Sequence, residues 1–139
     1  MSEEDLKFHT ENDNYGELGQ KDAAEIIERC IGKKIIEVKF SDDTIFLTFA
    51  DMKTLWIWDG GQSCCERRFM RTDDNIQELV GLDFEGLELS TVARCSFESL
   101  DEREIQFLKV KAGWVEVVFS SHNEHNGYYG GFSICVKEV

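Results

Sequence analysis

Between residues 21 and 31, Ala23, Ala24, Ile26, Ile27 and Cys30 recur at helical spacing, and Gly32 follows where a left-handed residue would end a helix. Beyond Gly32 the period changes to two. Residues 34–40 alternate with Ile36, Val38 and Phe40 on one face, residues 44–49 with Ile45, Leu47 and Phe49, and residues 54–59 read Thr-Leu-Trp-Ile-Trp-Asp. The links 41–43 and 50–53 are short, so an antiparallel meander is expected. A second short helix is expected over 73–80, capped by Thr72, with Asp73 and Asp74 in its first turn and Gly81 at its end. Residues 87–94, 104–111, 115–121 and 132–137 are strand-like. The expected fold class is therefore α+β: about seven mostly antiparallel strands in a curved sheet or partial barrel, with two short helices.

The strongest local turn signal is Asn126-Gly127, which suits a two-residue type I′ hairpin. That turn would set Phe119 opposite Ile134 and Val117 opposite Val136, matching apolar with apolar across the ladder. Asn123, His125 and Tyr128 then share the face of Phe119. His122, Glu124 and Tyr129 lie on the other, so the two histidines diverge. Trp56, Trp58 and Trp114 read as core or sheet-face residues.

Composition narrows the classes of function. The chain has 139 residues, no internal repeat and no proline. It reads as an acidic mobile arm over 1–19, rich in Glu and Asp, followed by a single domain over 20–139. No apolar run approaches the roughly 20 residues of a membrane span, and the start lacks the layout of a signal peptide, so a cytoplasmic protein away from membranes is expected. The five cysteines are an odd number without zinc-finger spacing, which fits reduced thiols. With 28 acidic against 15 basic residues the formal charge is -13, which argues against direct nucleic-acid binding and leaves a basic protein surface as a partner.

Candidate chemistry gathers in two segments. One holds Cys64, Cys65, Glu66 and Arg67, followed by Arg68. The other holds His122, Asn123, Glu124, His125, Asn126, Tyr128 and Tyr129. Cys64, Cys65, His122 and His125 are the donor types of a tetrahedral zinc site, yet adjacent residues in extended chain point to opposite faces, so no metal site is assigned. Arg67 and Arg68 could activate a neighbouring thiol, but Glu66 opposes that shift, and no catalytic residue or cofactor is assigned. Phosphate-binding loops, dinucleotide fingerprints and Ser-His-Asp arrangements are missing from the sequence. Tyr, Asn and His concentrated beside glycines suit a recognition surface, with hairpin packing as the plainer alternative.

The run from Gly61 to Glu66, the segment from Thr72 to Gly81, and His122-Asn123-Glu124-His125-Asn126-Gly127-Tyr128-Tyr129-Gly130-Gly131-Phe132 resemble an uncharacterised domain family of phage and bacterial proteins, over roughly Gly32 to the C-terminus. The resemblance implies a small phage or prophage accessory protein and carries no activity with it. The expected function is accordingly binding rather than catalysis: an inhibitor or modulator of a host nucleic-acid-handling or defence protein. Two alternatives stand beside it, a small-ligand binder that sequesters a nucleotide signal and a thiol- or metal-dependent enzyme.

Overall fold

A computed structural model describes residues 15–61, 66–96, 102–125 and 130–139. Its elements are β1 (Tyr15–Glu17), α1 (Lys21–Cys30), β2 (Ile35–Ser41), β3 (Thr44–Phe49), β4 (Thr54–Asp59), β5 (Arg67–Arg71), a 3-10 turn (Ile76–Leu79), β6 (Phe84–Leu89), β7 (Ala93–Ser96), β8 (Glu102–Ala112), β9 (Val115–His125) and β10 (Ile134–Glu138). One sheet has the order β1-β10-β4-β3-β2. The other runs β5-β9-β8-β6, with β7 also paired to β8. Every pairing is antiparallel.

This corrects the expected fold class. The structure is mostly β, with 58% of the described residues in ten strands, one helix and a 3-10 turn, and neither sheet is closed. It is therefore neither α+β with two helices nor a partial barrel. The meander β2-β3-β4 and the first helix form where expected, but a bulge between Ile35 and Glu37 buries Ile35 and leaves Ile36 42% exposed, against the expected inward run of Ile36, Val38 and Phe40. Residues Tyr15–Glu17, inside the stretch expected as an arm, pair with β10, and Arg67–Arg71 adds an edge strand to the second sheet.

The predicted ladder between residues 115–121 and 132–137 does not form. β9 lies between β5 and β8, whereas β10 lies between β1 and β4, so the chain changes sheet after His125. Phe119 and Ile134 are nonetheless both buried in one core. Each contributes to it from a different sheet, and apolar matching cannot distinguish ladder partners from residues facing each other across a core. Asn126 and Gly127 themselves lie outside the described residues.

The second predicted helix also gives way to sheet chemistry. Thr72 donates its hydroxyl to the Val118 carbonyl at 2.7 Å, and Asp74 Oδ2 accepts the Val118 N–H at 2.8 Å. Their side chains thus continue the β5–β9 ladder beyond Arg71. Only the short turn at Ile76–Leu79 remains helical, capped by Asn75, whose Oδ1 accepts the Gln77 N–H.

Two tight turns set the ends of the sheets. Asp42 and Asp43 both adopt positive φ (50° and 55°), a type I′ geometry that short polar side chains tolerate. The Asp43 carboxylate then accepts the Met70 N–H at 3.0 Å, tying the first sheet to the edge of the second. Gly113 (φ 57°) supplies the turn between β8 and β9 and leaves Trp114 87% exposed, so that tryptophan is neither core nor sheet face. No helix among the described residues is long and apolar enough to cross a membrane.

The core between the sheets contains Ile45, Leu47, Phe49, Leu55, Ile57, Phe84, Leu108, Val110, Val117 and Phe119, and α1 closes onto it with Ala23, Ile26 and Cys30. Phe119 is fully buried and meets Phe40 edge to face at 5.2 Å. Phe119→Ala should therefore destabilise the protein by about 3–5 kcal/mol. Urea unfolding of both forms checks this, and a loss under about 1 kcal/mol would mean that the two sheets do not share this core.

Candidate functional site

Alternation along the strands decides what lies between the sheets. β4 turns Leu55, Ile57 and Asp59 inward; β5 turns Arg68 and Met70; β8 turns Glu104, Leu108 and Val110; β9 turns Val117, Phe119, Ser121, Asn123 and His125. The interior is thus apolar toward Gly113 and charged at the opposite end. That charged end adjoins both segments singled out in the sequence.

Arg68 is the link between the sheets there. Its Nη1 lies 2.9 Å from Asp59 Oδ2 on β4, its Nε donates to Glu66 Oε2 at 2.6 Å, and Nη1 also reaches the Gly131 carbonyl at 3.0 Å. All three side chains are largely buried. Asp59 Oδ1 additionally accepts the N–H groups of Gly61 and Ser133, each at 3.0 Å.

The Gly131 peptide is held from both sides. Asn123 Nδ2 joins Arg68 on its carbonyl at 3.0 Å, and Glu104 Oε1 accepts its N–H at 3.1 Å. The same Glu104 oxygen lies 2.7 Å from His125 Nε2, while Arg94 Nη2 lies 3.5 Å from Glu104 Oε2. Burial by itself would raise the pKa of Glu104. The Gly131 N–H, His125 and Arg94 outweigh it and hold the carboxyl below the ordinary carboxylate range.

Close approach explains two glycines here. A Cβ at Gly61 would stand 2.5 Å from Arg68 Nη1, and one at Gly130 would collide with Glu104 Oε1. Gly131 meets a different demand, because its φ of 78° disfavours any side chain.

A separate cluster occupies the outer side of the second sheet. His122 stacks on Phe69 with centroids 4.6 Å apart and planes 1° from parallel, and Arg67 lies over the other part of that stack, 4.9 Å from the Phe69 centroid. His122 Nε2 is 2.8 Å from Ser120 Oγ. Glu124 pairs with Arg103 at 2.5 Å and with Arg67 at 3.6 Å. Burial, followed by the nearby Arg103 and Arg71, pushes the His122 imidazole below its usual value, although Glu124 pulls the other way.

The sequence-predicted residues thus divide. Glu66, Asn123 and His125 join the inner network, whereas Arg67, His122 and Glu124 belong to the outer cluster. Cys64, Cys65, Asn126, Tyr128 and Tyr129 lie outside the described residues. Asp59, Arg94, Glu104 and Gly131 are not among the sequence-predicted residues, and Arg68 enters the sequence reading only as a possible thiol activator. One signal was available, since Glu104 shares the inward parity of Leu108 and Val110 and is therefore a carboxylate facing a core. Among the described residues no group of three His, Cys, Asp or Glu side chains is placed to hold a metal. The thiols of Cys30 and Cys135 are not activated either: burial, with Glu138 beside it, pushes Cys30 up to about 11, and burial also raises Cys135.

What the arrangement does is fix chain. Residues Gly61, Glu66, Gly130 and Gly131 flank the two segments 62–65 and 126–129, and the buried charges bind these flanks to three strands. Arg68→Met leaves Asp59 and Glu66 buried without their cation and should cost about 3–5 kcal/mol in urea unfolding. Arg68→Lys should recover only part of that, because a lysine lacks the planar fork that serves three acceptors. Equal stability of all three proteins would show the network to be dispensable.

The pH dependence follows from the two shifted groups. His122 has a depressed pKa in the folded state, so its contribution is complete above about 6.5 and declines as the pH falls through the folded value. Glu104 is depressed as well, so its contribution is present above about 4.5 and lost at lower pH. Stability measured against pH should show two acid-side losses. His122→Gln should flatten the first and Glu104→Gln the second, and unchanged slopes in both variants would contradict the assignment.

No curated protein and no solved structure matches this chain. A family model does match over residues 28–135, a stretch that takes in β2 to β9, the whole buried network and both flagged segments. On that match the chain belongs to the family described as a domain of unknown function, DUF7448.

Proposed function

We propose that this protein acts by binding, as an accessory protein of phage or prophage type that modulates a host nucleic-acid-handling or defence protein through a basic surface on that partner. The observation that carries the reading is the capture of Gly131 by Arg68, Asn123 and Glu104 together. Groups with catalytic potential are engaged with one another, and their joint effect is to anchor the bases of two segments rich in recognition-type side chains. Rigid anchoring lowers the ordering cost that a binding loop would otherwise incur. The surplus of carboxylates, 28 against 15 cations, favours approach to a basic partner. Exposed Asp73 and Glu78 are available for that contact, whereas Asp74 is engaged with the backbone of β9.

A nucleotide ligand is the second reading. Arg68 is occupied by Asp59, Glu66 and Gly131, so the phosphate-binding role falls to Arg67, whose side chain is 74% exposed and stacked on Phe69.

Affinity capture from an extract of the source cells, with the tagged protein and its Tyr129→Ala variant, tests the proposal. The wild type should retain a basic nucleic-acid-handling protein at about 0.1 M salt and lose most of it near 1 M, where screening shortens the Debye length from roughly 10 to 3 Å. Tyr129→Ala should reduce retention at least about tenfold while thermal unfolding stays the same, as expected for an aromatic anchor. Retention that ignores both salt and the substitution would overturn the reading. A nucleotide released on denaturation, with no protein retained, would favour the second.

A further inference from the structure

The first sheet has a second face that is not a solvated one. Opposite the core, Phe46, Trp56, Trp58 and Cys135 form a separate apolar cluster, exposed by only 7%, 6%, 8% and 2%. Phe46 pairs with Trp56 across the β3–β4 ladder, and their rings meet edge to face at 5.0 Å. Tyr15 tilts over Trp58 at 5.9 Å, and its hydroxyl is 3.5 Å from Cys135 Sγ. Thr44 and Lys137, on the same side by register, are buried as well. Indoles on the bare outside of a sheet would be far more exposed than this, so the face requires a cover. Among the described residues no element supplies one: α1 packs on the opposite side with the main core.

We propose that this face is the docking surface for the chain's own amino-terminal segment, residues 1–14. Connection is the first reason. Tyr15 opens β1, the edge strand beside β10, so the segment joins the sheet at the margin of the aromatic face. Reach is the second: 14 residues span up to about 46 Å, whereas crossing five strands takes only about 19 Å. The third is complementarity. The segment carries Leu6 and Phe8 as apolar groups and Glu3, Glu4, Asp5, Glu11 and Asp13 as carboxylates. The face offers the aromatic row with Lys137 on one flank and Lys39 on the other, the latter 5.7 Å from the Phe46 centroid. This inference stands independently of the proposed function.

Tryptophan fluorescence tests it directly. In a Trp114→Phe background, which removes the exposed indole at the β8–β9 turn, emission reports Trp56 and Trp58 alone. Three proteins are compared by acrylamide quenching: the full chain, the chain lacking residues 1–14, and the full chain with Phe8→Asp. Deletion should shift emission to the red and raise the quenching constant about twofold or more, with far-UV circular dichroism unchanged, as expected when a local cover is removed without unfolding. Phe8→Asp should move both quantities in the same direction, and it decides the matter where the deleted chain fails to fold. Unchanged quenching in Phe8→Asp together with a folded, equally protected deletion variant would overturn the proposal, as another segment of the chain would then be the cover. So would a full chain that protects its tryptophans only as a dimer and loses that protection on dilution, because a second copy would then be the occupant.

Discussion

Asp59, Glu66 and Glu104 direct their carboxylates into the space between two sheets, and the fold holds only because cations meet them there. Taking an ion out of water costs several kcal/mol even after the protein relaxes, so three unpaired carboxylates would outweigh the whole stability of an ordinary domain. Arg68 resolves most of this by reaching from the second sheet to Asp59 on the first. That one contact ties the relative position of the sheets to electrostatics as well as to packing. The apolar core would accept small slides of one sheet over the other, because methyl groups have no direction. A guanidinium bound to Asp59, Glu66 and the Gly131 carbonyl at 2.6–3.0 Å does not.

How much of this was legible depends on the range of the interaction. Helix α1 and the meander β2-β3-β4 follow from local period, and their boundaries agree with it to within a residue or two. The pairing of residues 115–121 with 132–137 did not, because Phe119 and Ile134 satisfy the same apolar test whether they are neighbours in a ladder or opposite each other across a core. Strand β5 was hidden for another reason. Arg-Arg-Phe-Met-Arg has too few apolar residues to show alternation, and its inward positions are Arg68 and Met70, of which the first is made tolerable only by Asp59 and Glu66. The acids Asp73 and Asp74 suggested a helix start, but Asp74 serves a backbone N–H on β9 that is remote in sequence.

The same division applies to the site. The polar end of β9 stood out in the sequence, and simple alternation placed Asn123 and His125 inward and His122 and Glu124 outward. Their partners could not be found that way, since Glu104, Arg68 and Asp59 come from three other strands. Glu104 was the exception, a carboxylate at an inward-facing position of an otherwise apolar strand, and such a residue calls for a cation or a donor somewhere across the core. Reading inward parity for charge as well as for hydrophobicity would have located the network one step earlier.

The family match covers the charged end of the interior and most of the outer aromatic row. Residues 28–135 include Asp59, Glu66, Arg68, Arg94, Glu104, Asn123, His125 and Gly131, so the entire buried clamp lies within the shared region. The same span includes Phe46, Trp56 and Trp58, but excludes Tyr15, Lys137 and residues 1–14. The row Phe46, Trp56 and Trp58 therefore lies within the matched span, whereas Tyr15, Lys137 and the segment proposed to cover the row lie outside it. An apolar sheet face needs shielding in any aqueous setting, because exposed aromatic surface invites association.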